Sequence, residues 1–278
     1  MDYRNIIDTA SNYIMNKIPN SPQIGIILGT GLGSLAEHIE NPIYIDYSEI
    51  PKFPISTVEG HAGRLIYGIL EGKRVIAMQG RFHYYEGYTM KEVTLPIRVM
   101  SKLGIKILLV SNACGGLNDE FSAGDIMIIQ DHINFIGSNP LIGSNLDEYG
   151  PRFPDMSQVY DKEYIQLCTK IAGEIGIDVK KGVYCAISGP NYMSKAELKM
   201  LITLGADTVG MSTVPEAIVA KHSGIKVFGL SCITDMAIPD NLVPPTHEEV
   251  VRVAELAKPR FVNLVKHFVK EVQFDETL

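Results

Sequence analysis

Residues Ile24 to Ser34 read I-G-I-I-L-G-T-G-L-G-S, an apolar run that breaks into glycines and a hydroxyl. The β-prone residues between Ile24 and Leu28 predict a buried strand. Gly29, Gly31 and Gly33 predict a turn whose backbone takes conformations that a Cβ resists. Such a turn, aimed at the start of a helix, frees backbone N–H groups for an anion, and the Thr30 hydroxyl adds a donor. Two common phosphate signatures do not fit. The G-K-[ST] ending of a P-loop is missing, and Ser34 stands where G-x-G-x-x-G needs its third Gly. Taken alone, the stretch also fits a plain tight connection between a strand and a helix.

The bulk of the chain narrows the classes. With 278 residues, 46% of them hydrophobic, it can bury a sizeable core. A formal net charge of −7 argues against a nucleic-acid partner and favours small polar ligands. Cys114, Cys168, Cys185 and Cys232 are far apart, form no C-x-x-C pair and sit among apolar residues, which predicts buried free thiols. The start M-D-Y-R-N lacks the basic, then apolar pattern of a signal peptide, and no apolar run reaches membrane-spanning length. The expected compartment is cytoplasmic, with no membrane partner.

Outward from the first strand, residues 3 to 18 carry isoleucines at helical spacing, and Pro19 to Pro22 end that helix. Leu32–Ile39 predicts a short helix, Ser48–Gly63 a functional loop, and Arg64–Leu70 with Arg74–Met78 a hairpin turning through Glu71-Gly72-Lys73. A helix over Met90–Leu103 stops at Gly104. Ile107–Ser111 and Asp125–Gln130 are predicted strands, and 131 to 157 is a long irregular section of the kind that forms lids or interfaces. Then the pattern alternates: helix Asp161–Gly176, strand Gly182–Ser188, helix Ser194–Leu204, strand Thr208–Met211, helix Val214–His222 and strand Lys226–Ser231. A last helix over Thr246–Glu271 opens with a Thr246–Glu249 capping pair. The fold expected is a single α/β domain over residues 1–278, with a central mixed, largely parallel sheet flanked by helices.

In open α/β sheets, ligands meet the carboxyl ends of the strands, so the segments after these strands should converge on one crevice. Arg81-Phe82-His83-Tyr84-Tyr85 puts a bidentate anion ligand, an imidazole and phenol hydroxyls directly after a strand. A surface loop is the plainer reading of that stretch, as it is of His61 between Gly60 and Ala62. Gly210-Met211-Ser212-Thr213-Val214-Pro215 reads as a helix start with a Ser/Thr cap, or as an anion donor at Ser212. Asp235 ends an apolar strand as a helix cap or as an acid meeting a ligand. The seven His are scattered and His247-Glu248-Glu249 is not H-E-x-x-H, so no metal site is expected. The G-x-S-x-G elbow of serine hydrolases is absent.

Six stretches in order, G-T-G-L-G, V-E-G-H-A-G-R, M-Q-G-R-F-H-Y-Y-E-G-Y, S-N-A-C-G-G, G-M-S-T-V-P-E and H-E-E-V, resemble the trimeric purine nucleoside phosphorylase and methylthioadenosine phosphorylase family. The resemblance runs from about Ile24 to His267. It implies a nucleoside phosphorylase domain that cleaves purine (2′-deoxy)ribonucleosides with inorganic phosphate as co-substrate, giving a free purine and a (2-deoxy)ribose 1-phosphate. No metal or organic cofactor is implied, and the assembly is a homotrimer. By position, Thr30, His61, Arg81, His83, the Ala113 N–H and Ser212 match the family's phosphate site. Tyr85, Met211 and His247 match its ribose site, together with Phe153 reaching over from a neighbouring subunit. Gly115, Tyr192, Met193, Val209 and Asp235 match the base site, and His83 and Asp235 are the expected catalytic groups.

Two positions depart from the family members that prefer inosine and guanosine, which carry Glu where this chain has Met193 and Asn where it has Asp235. A thioether cannot accept the N1–H of a 6-oxopurine with strength, and an ionised carboxylate repels its O6. A carboxyl at 235 accepts from a 6-amino group and, when protonated, donates to N7. Adenosine acceptance is therefore expected. An inosine and guanosine phosphorylase, with water in place of the missing Glu, and a methylthioadenosine phosphorylase are the alternatives, the latter disfavoured by His247, which suits a free 5′-hydroxyl.

Overall fold

A computed structural model describes residues 2–30, 32–57, 62–243 and 246–274, with His247 by its backbone alone. All five residues of β1 (Ile24–Leu28) are buried. Parallel neighbours cover both of its edges, β4 (Lys73–Gln79) and β5 (Ile107–Gly116). A strand so placed is apolar on both faces and shows no alternation, which is what its sequence shows. Past β4 the sheet turns antiparallel, through β3 (Arg64–Leu70) to the edge strand β2 (Glu40–Asp46). The sequence reading missed β2. It is mostly exposed, and Pro42 falls at an irregularity in its pairing, so the strand carries neither the alternation nor the composition by which strands are recognised.

On the other side, β5 leads to β8 (Thr208–Gly210), β7 (Val179–Ile187), β6 (Ile126–Phe135) and β9 (Lys226–Met236). Because β9 also pairs in parallel with β5, these five strands close into a ring. Among the described residues, five of the nine strand pairings are parallel: the sheet is mixed and largely parallel, as expected. Helices α1 (Tyr3–Met15), α2 (Met90–Val93), α3 (Leu95–Leu103), α4 (Lys162–Glu174), α5 (Lys195–Thr203), α6 (Val214–His222) and α7 (His247–Glu271) flank it. The long α7 lies on β9, and α6 lies against β5, β6 and β9.

Several expected boundaries move. The helix expected over 90–103 is two helices, because Pro96 cannot donate to the Glu92 carbonyl and Thr94 leaves helical geometry at φ −101°, ψ 2°. The short helix after β1 is a 3₁₀ turn, Gly33–His38, and the hairpin turns through two residues, Glu71 and Gly72. Strands β5 and β9 continue past Ser111 and Ser231 to Gly116 and Met236, still paired with each other. β6 likewise runs through Phe135 in register with β7, so the irregular section starts later than expected. Backbone pairing continues in all three where the side chains stop being uniformly apolar. The continuations of β5 and β9 form walls of the site.

Candidate active site

The segments that follow β1, β4, β7 and β8, together with the ends of β5 and β9, surround one cavity of about 320 Å³. Thr30, Arg81, His83, Tyr85, Ala113 and Ser212 line one part of its wall. Gly115, Tyr192, Met193, Val209, Met211 and Asp235 also line it. The convergence expected from the strand ends is therefore observed.

Gly29 shapes the entrance of the chain into this cavity, for a different reason than expected. Neither Gly29 nor Gly33 has a positive φ, and Gly31 lies outside the described residues. A Cβ on Gly29 would sit 2.7 Å from the Asn112 Cα and 2.8 Å from the Ser111 carbonyl oxygen. The constraint is close approach of two strands. Gly29 N–H donates to Ser111 Oγ at 3.2 Å, and Ser111 Oγ donates to the Ile27 carbonyl at 2.8 Å. Because backbone cannot yield as a side chain can, Gly29→Ala is expected to cost about 3 kcal/mol. In thermal unfolding that appears as a fall in Tm of at least about 6 °C; an unchanged Tm would contradict the packing argument.

Arg81 is 2% exposed, not a surface-loop residue. Its Nε donates to Glu216 Oε1 at 3.0 Å and its Nη1 to the Ser111 carbonyl at 2.6 Å. A guanidinium gripped this way presents its charge to the cavity in one fixed orientation. His83 is also buried, stacked on Tyr85 with ring centroids 4.7 Å apart. Glu86, which the sequence reading passed over, sets the imidazole: its Oε1 lies 3.0 Å from His83 Nδ1 and accepts the His83 N–H at 2.7 Å. Thr57 donates to Glu86 Oε2 from its N–H at 3.0 Å and from its hydroxyl at 2.5 Å. Burial alone would raise the Glu86 carboxyl, but the hydrogen bonds from His83 and Thr57 outweigh it and hold it at about 2. An ionised Glu86 keeps the hydrogen of the imidazole on Nδ1. The spacing His83-x-x-Glu86 resembles a capping pair, and that was the signal available in the sequence.

Ser212 is held by an unusual turn. Thr213 takes φ 72°, ψ −50°, and Val214 N–H donates to the Ser212 carbonyl at 2.8 Å. This is a γ-turn with positive φ, a conformation that costs a β-branched residue of order 1–3 kcal/mol. Thr213 makes no side-chain cap on α6, so the helix-start reading of these residues is incomplete. Its hydroxyl instead accepts from Asn112 Nδ2 at 3.0 Å and lies 3.1 Å from Ser212 Oγ.

Asp235 is a strand residue, not a helix cap. The pairing of β5 with β9 runs Cys114 opposite Ile233, then Gly115 opposite Asp235, leaving Thr234 as the extra residue of a bulge. Bulges re-aim side chains, and this one turns Asp235 to the cavity. Gly115 leaves room for it: a Cβ there would meet Asp235 Oδ2 at 3.1 Å. Burial pushes the Asp235 carboxyl up, against a hydrogen bond from the Thr234 hydroxyl at 3.0 Å. Around it Met193, Val209 and Met211 pack on a small second core of Leu117, Cys185, Ile187, Leu198 and Ala237.

Among the described residues, one expected site residue is not brought to this cavity. Phe153 is 86% exposed and does not line it. His61 lies outside the described residues, as does the side chain of His247; the backbone of His247 opens α7, whose first turn reaches the cavity through Val250. All four cysteines are buried free thiols, Cys114 in the cavity wall. Among the described residues no three His, Cys, Asp or Glu gather as a metal cluster, and no helix is long and apolar enough to cross a membrane.

The model of one family, described as "Phosphorylase superfamily", matches residues 23–270. The chain belongs to that superfamily. It is an enzyme of it, and the motif resemblance is sustained along the chain. Purine nucleoside phosphorylase 1 of Bacillus subtilis is 55% identical over 96% of this chain and 98% of its own length. Isoform 2 of the Schistosoma mansoni purine nucleoside phosphorylase, solved with cytosine and ribose-1-phosphate, superposes with a TM-score of 0.93 at 45% identity over 98% of each chain. A purine nucleoside phosphorylase of the same organism, solved with adenosine, superposes with a TM-score of 0.92 at 42% identity, again over 98% of each chain. A Schistosoma mansoni purine nucleoside phosphorylase solved with inosine superposes with a TM-score of 0.93 at 41% identity over 98% of each chain.

Proposed function

We propose that this chain is a purine nucleoside phosphorylase that accepts 6-aminopurine nucleosides such as adenosine, using inorganic phosphate and no metal or organic cofactor. The observation that carries the proposal is one cavity with a gripped, buried cation at one part of its wall and a half-buried carboxyl at another. Strand β5 spans the two: Ser111 holds Arg81 and Gly115 faces Asp235, about 13 Å apart along an extended strand.

The chemistry follows from the bond to be broken. Cleaving the bond from the sugar C1′ to the purine N9 leaves positive charge on the sugar and negative charge on the base. Phosphate held by Arg81, Thr30, His83, Ser212 and the Ala113 N–H supplies an oxygen that forms the new C1′–O bond and offsets the sugar charge. The electron pair of the broken bond leaves with the base, and a protonated Asp235 meets it by donating its proton to N7. The same carboxyl accepts from the 6-amino group. Met193, which has no strong acceptor, accommodates a purine with no hydrogen on N1. Tyr85 and Met211 line the space between phosphate and base, where the ribose fits, and Tyr192 and Val209 flank the base. His247 serves the 5′-hydroxyl and His61 the phosphate.

The direct test is ³¹P NMR of adenosine with phosphate: ribose 1-phosphate is expected to accumulate one for one with free adenine. Base release without loss of inorganic phosphate would point to hydrolysis instead.

Phe153, exposed and outside its own chain's cavity, supports a homotrimer in which it covers the sugar site of a neighbouring subunit. Phe153→Ala is expected to leave Tm within about 1 °C of the parent, since within its own chain the exposed ring meets the Arg152 guanidinium at 5.4 Å and is not part of the core, and to raise the nucleoside KM by about tenfold, as expected for one lost aromatic contact on a ligand. Sedimentation gives the assembly. A fully active monomer would contradict this arrangement. The cytoplasm remains the proposed compartment.

A further inference from the structure

Ser212 has little of its backbone left for a ligand. Its carbonyl accepts from Val214, and its N–H points to the Tyr184 hydroxyl at 3.4 Å. What it offers the cavity is its hydroxyl, and the orientation of that hydroxyl depends on what stands behind it. Behind it is Thr213 Oγ1 at 3.1 Å, and behind Thr213 is Asn112 Nδ2 at 3.0 Å. Thr213 and Asn112 are both buried.

We infer that Asn112 and Thr213 are positioning residues that aim the Ser212 hydroxyl at the bound phosphate. An amide nitrogen can only donate, so Asn112 Nδ2 fills a lone pair of Thr213 Oγ1. The single hydroxyl hydrogen of Thr213 then goes to Ser212 Oγ, the other polar atom beside it. With one lone pair filled from behind, Ser212 keeps its own hydrogen for the anion, which takes it in place of the Tyr184 hydroxyl beside it. The chain runs one way, from amide to hydroxyl to hydroxyl to anion, and each donor polarises the next. With the amide turned over, its oxygen would take the Thr213 hydrogen, and Ser212 would donate back into the wall.

This accounts for the γ-turn. Helix α6 makes no use of the Thr213 side chain, and a β-branched residue is among the worst suited to a positive φ. The turn is what puts the hydroxyls of two consecutive residues side by side while Thr213 stays in reach of β5. Strain of this kind persists where surrounding contacts over-determine it, and here Asn112, the Val214 bond and the Ala217 N–H, which donates to the Thr213 carbonyl at 3.0 Å, all hold the turn.

The inference rests on the proposed phosphate site. Its test is the steady-state kinetics of Thr213→Val, which keeps the shape and the branching and deletes only the hydroxyl. The phosphate KM is expected to rise at least tenfold, while kcat at saturating phosphate and the nucleoside KM stay within threefold. Thr213→Ser restores the phosphate KM to within threefold of the parent, and Asn112→Ala repeats the selective rise. Should Thr213→Val fail to fold, Asn112→Ala decides the matter alone. A merely structural Thr213 would lower Tm in both Thr213 variants and leave the phosphate KM unmoved, which overturns the inference. Parent turnover that does not depend on phosphate overturns the phosphate site itself; phosphate-dependent parent turnover with an unaffected Thr213→Val overturns only the relay.

Discussion

Arg81→Met is expected to lower kcat/KM for phosphate by at least about 10³-fold. Two charge-assisted hydrogen bonds to an anion contribute about 4 kcal/mol between them, and every 1.4 kcal/mol is about tenfold. The change also strands Glu216, whose carboxylate is buried against the guanidinium at 3.0 Å. An unpaired buried charge costs about 3–5 kcal/mol of stability. The two effects separate cleanly. Arg81→Met with Glu216→Gln removes both charges, so Tm recovers toward the parent while turnover does not. Steady-state kinetics with thermal unfolding on the three proteins checks this, and a single variant within tenfold of the parent on phosphate would remove Arg81 from the site.

Asp235→Asn is expected to reverse the base preference, shifting the adenosine-to-inosine ratio of kcat/KM by at least about 100-fold. An amide still donates to N7 of adenine but has no proton to transfer, and general acid catalysis contributes about 10²–10⁴-fold. For hypoxanthine or guanine the amide donates to O6, where an ionised carboxylate repels. The pH profile carries the sign. Burial raises the carboxyl, so the protonated form lasts to higher pH than in an ordinary carboxylate. Adenosine turnover is present below the raised value and is lost as pH rises through it. Folding follows the same direction: stability from the neutral carboxyl is complete below the unfolded value and is lost as pH rises through the folded one. In Asp235→Asn both limbs flatten. An unchanged preference and an unchanged profile would place the base elsewhere in the cavity.

Much of this was legible in the sequence because β1, β4, β5 and β9 announce themselves as apolar runs, and ligand residues follow such runs directly. That rule singles out Arg81 and Asp235, and the end of the short β8 singles out Ser212, each beside a plainer structural reading; the family resemblance is what assigns their roles. What escaped has physical causes. Gly29 reads as a conformational glycine, yet its reason is the Asn112 backbone, 83 residues away in sequence, 2.7 Å from where a Cβ would stand. The edge strand β2 buries too little to show a pattern. Glu216 acts through Arg81 and nothing in its local sequence marks it, while Glu86 acts through His83 and is marked only by its capping-pair spacing. The Thr213 turn imitates a helix start in every residue type, and only its φ gives it away.

The measurement that bears most directly on the whole account is release of free base from adenosine, inosine, guanosine and methylthioadenosine in parallel, each with and without phosphate. Release in the phosphate samples alone, with adenosine turned over fastest, is the predicted result. Guanosine or inosine leading would contradict the base assignment of Asp235 and Met193 while keeping the reaction, and release without phosphate would contradict the reaction itself.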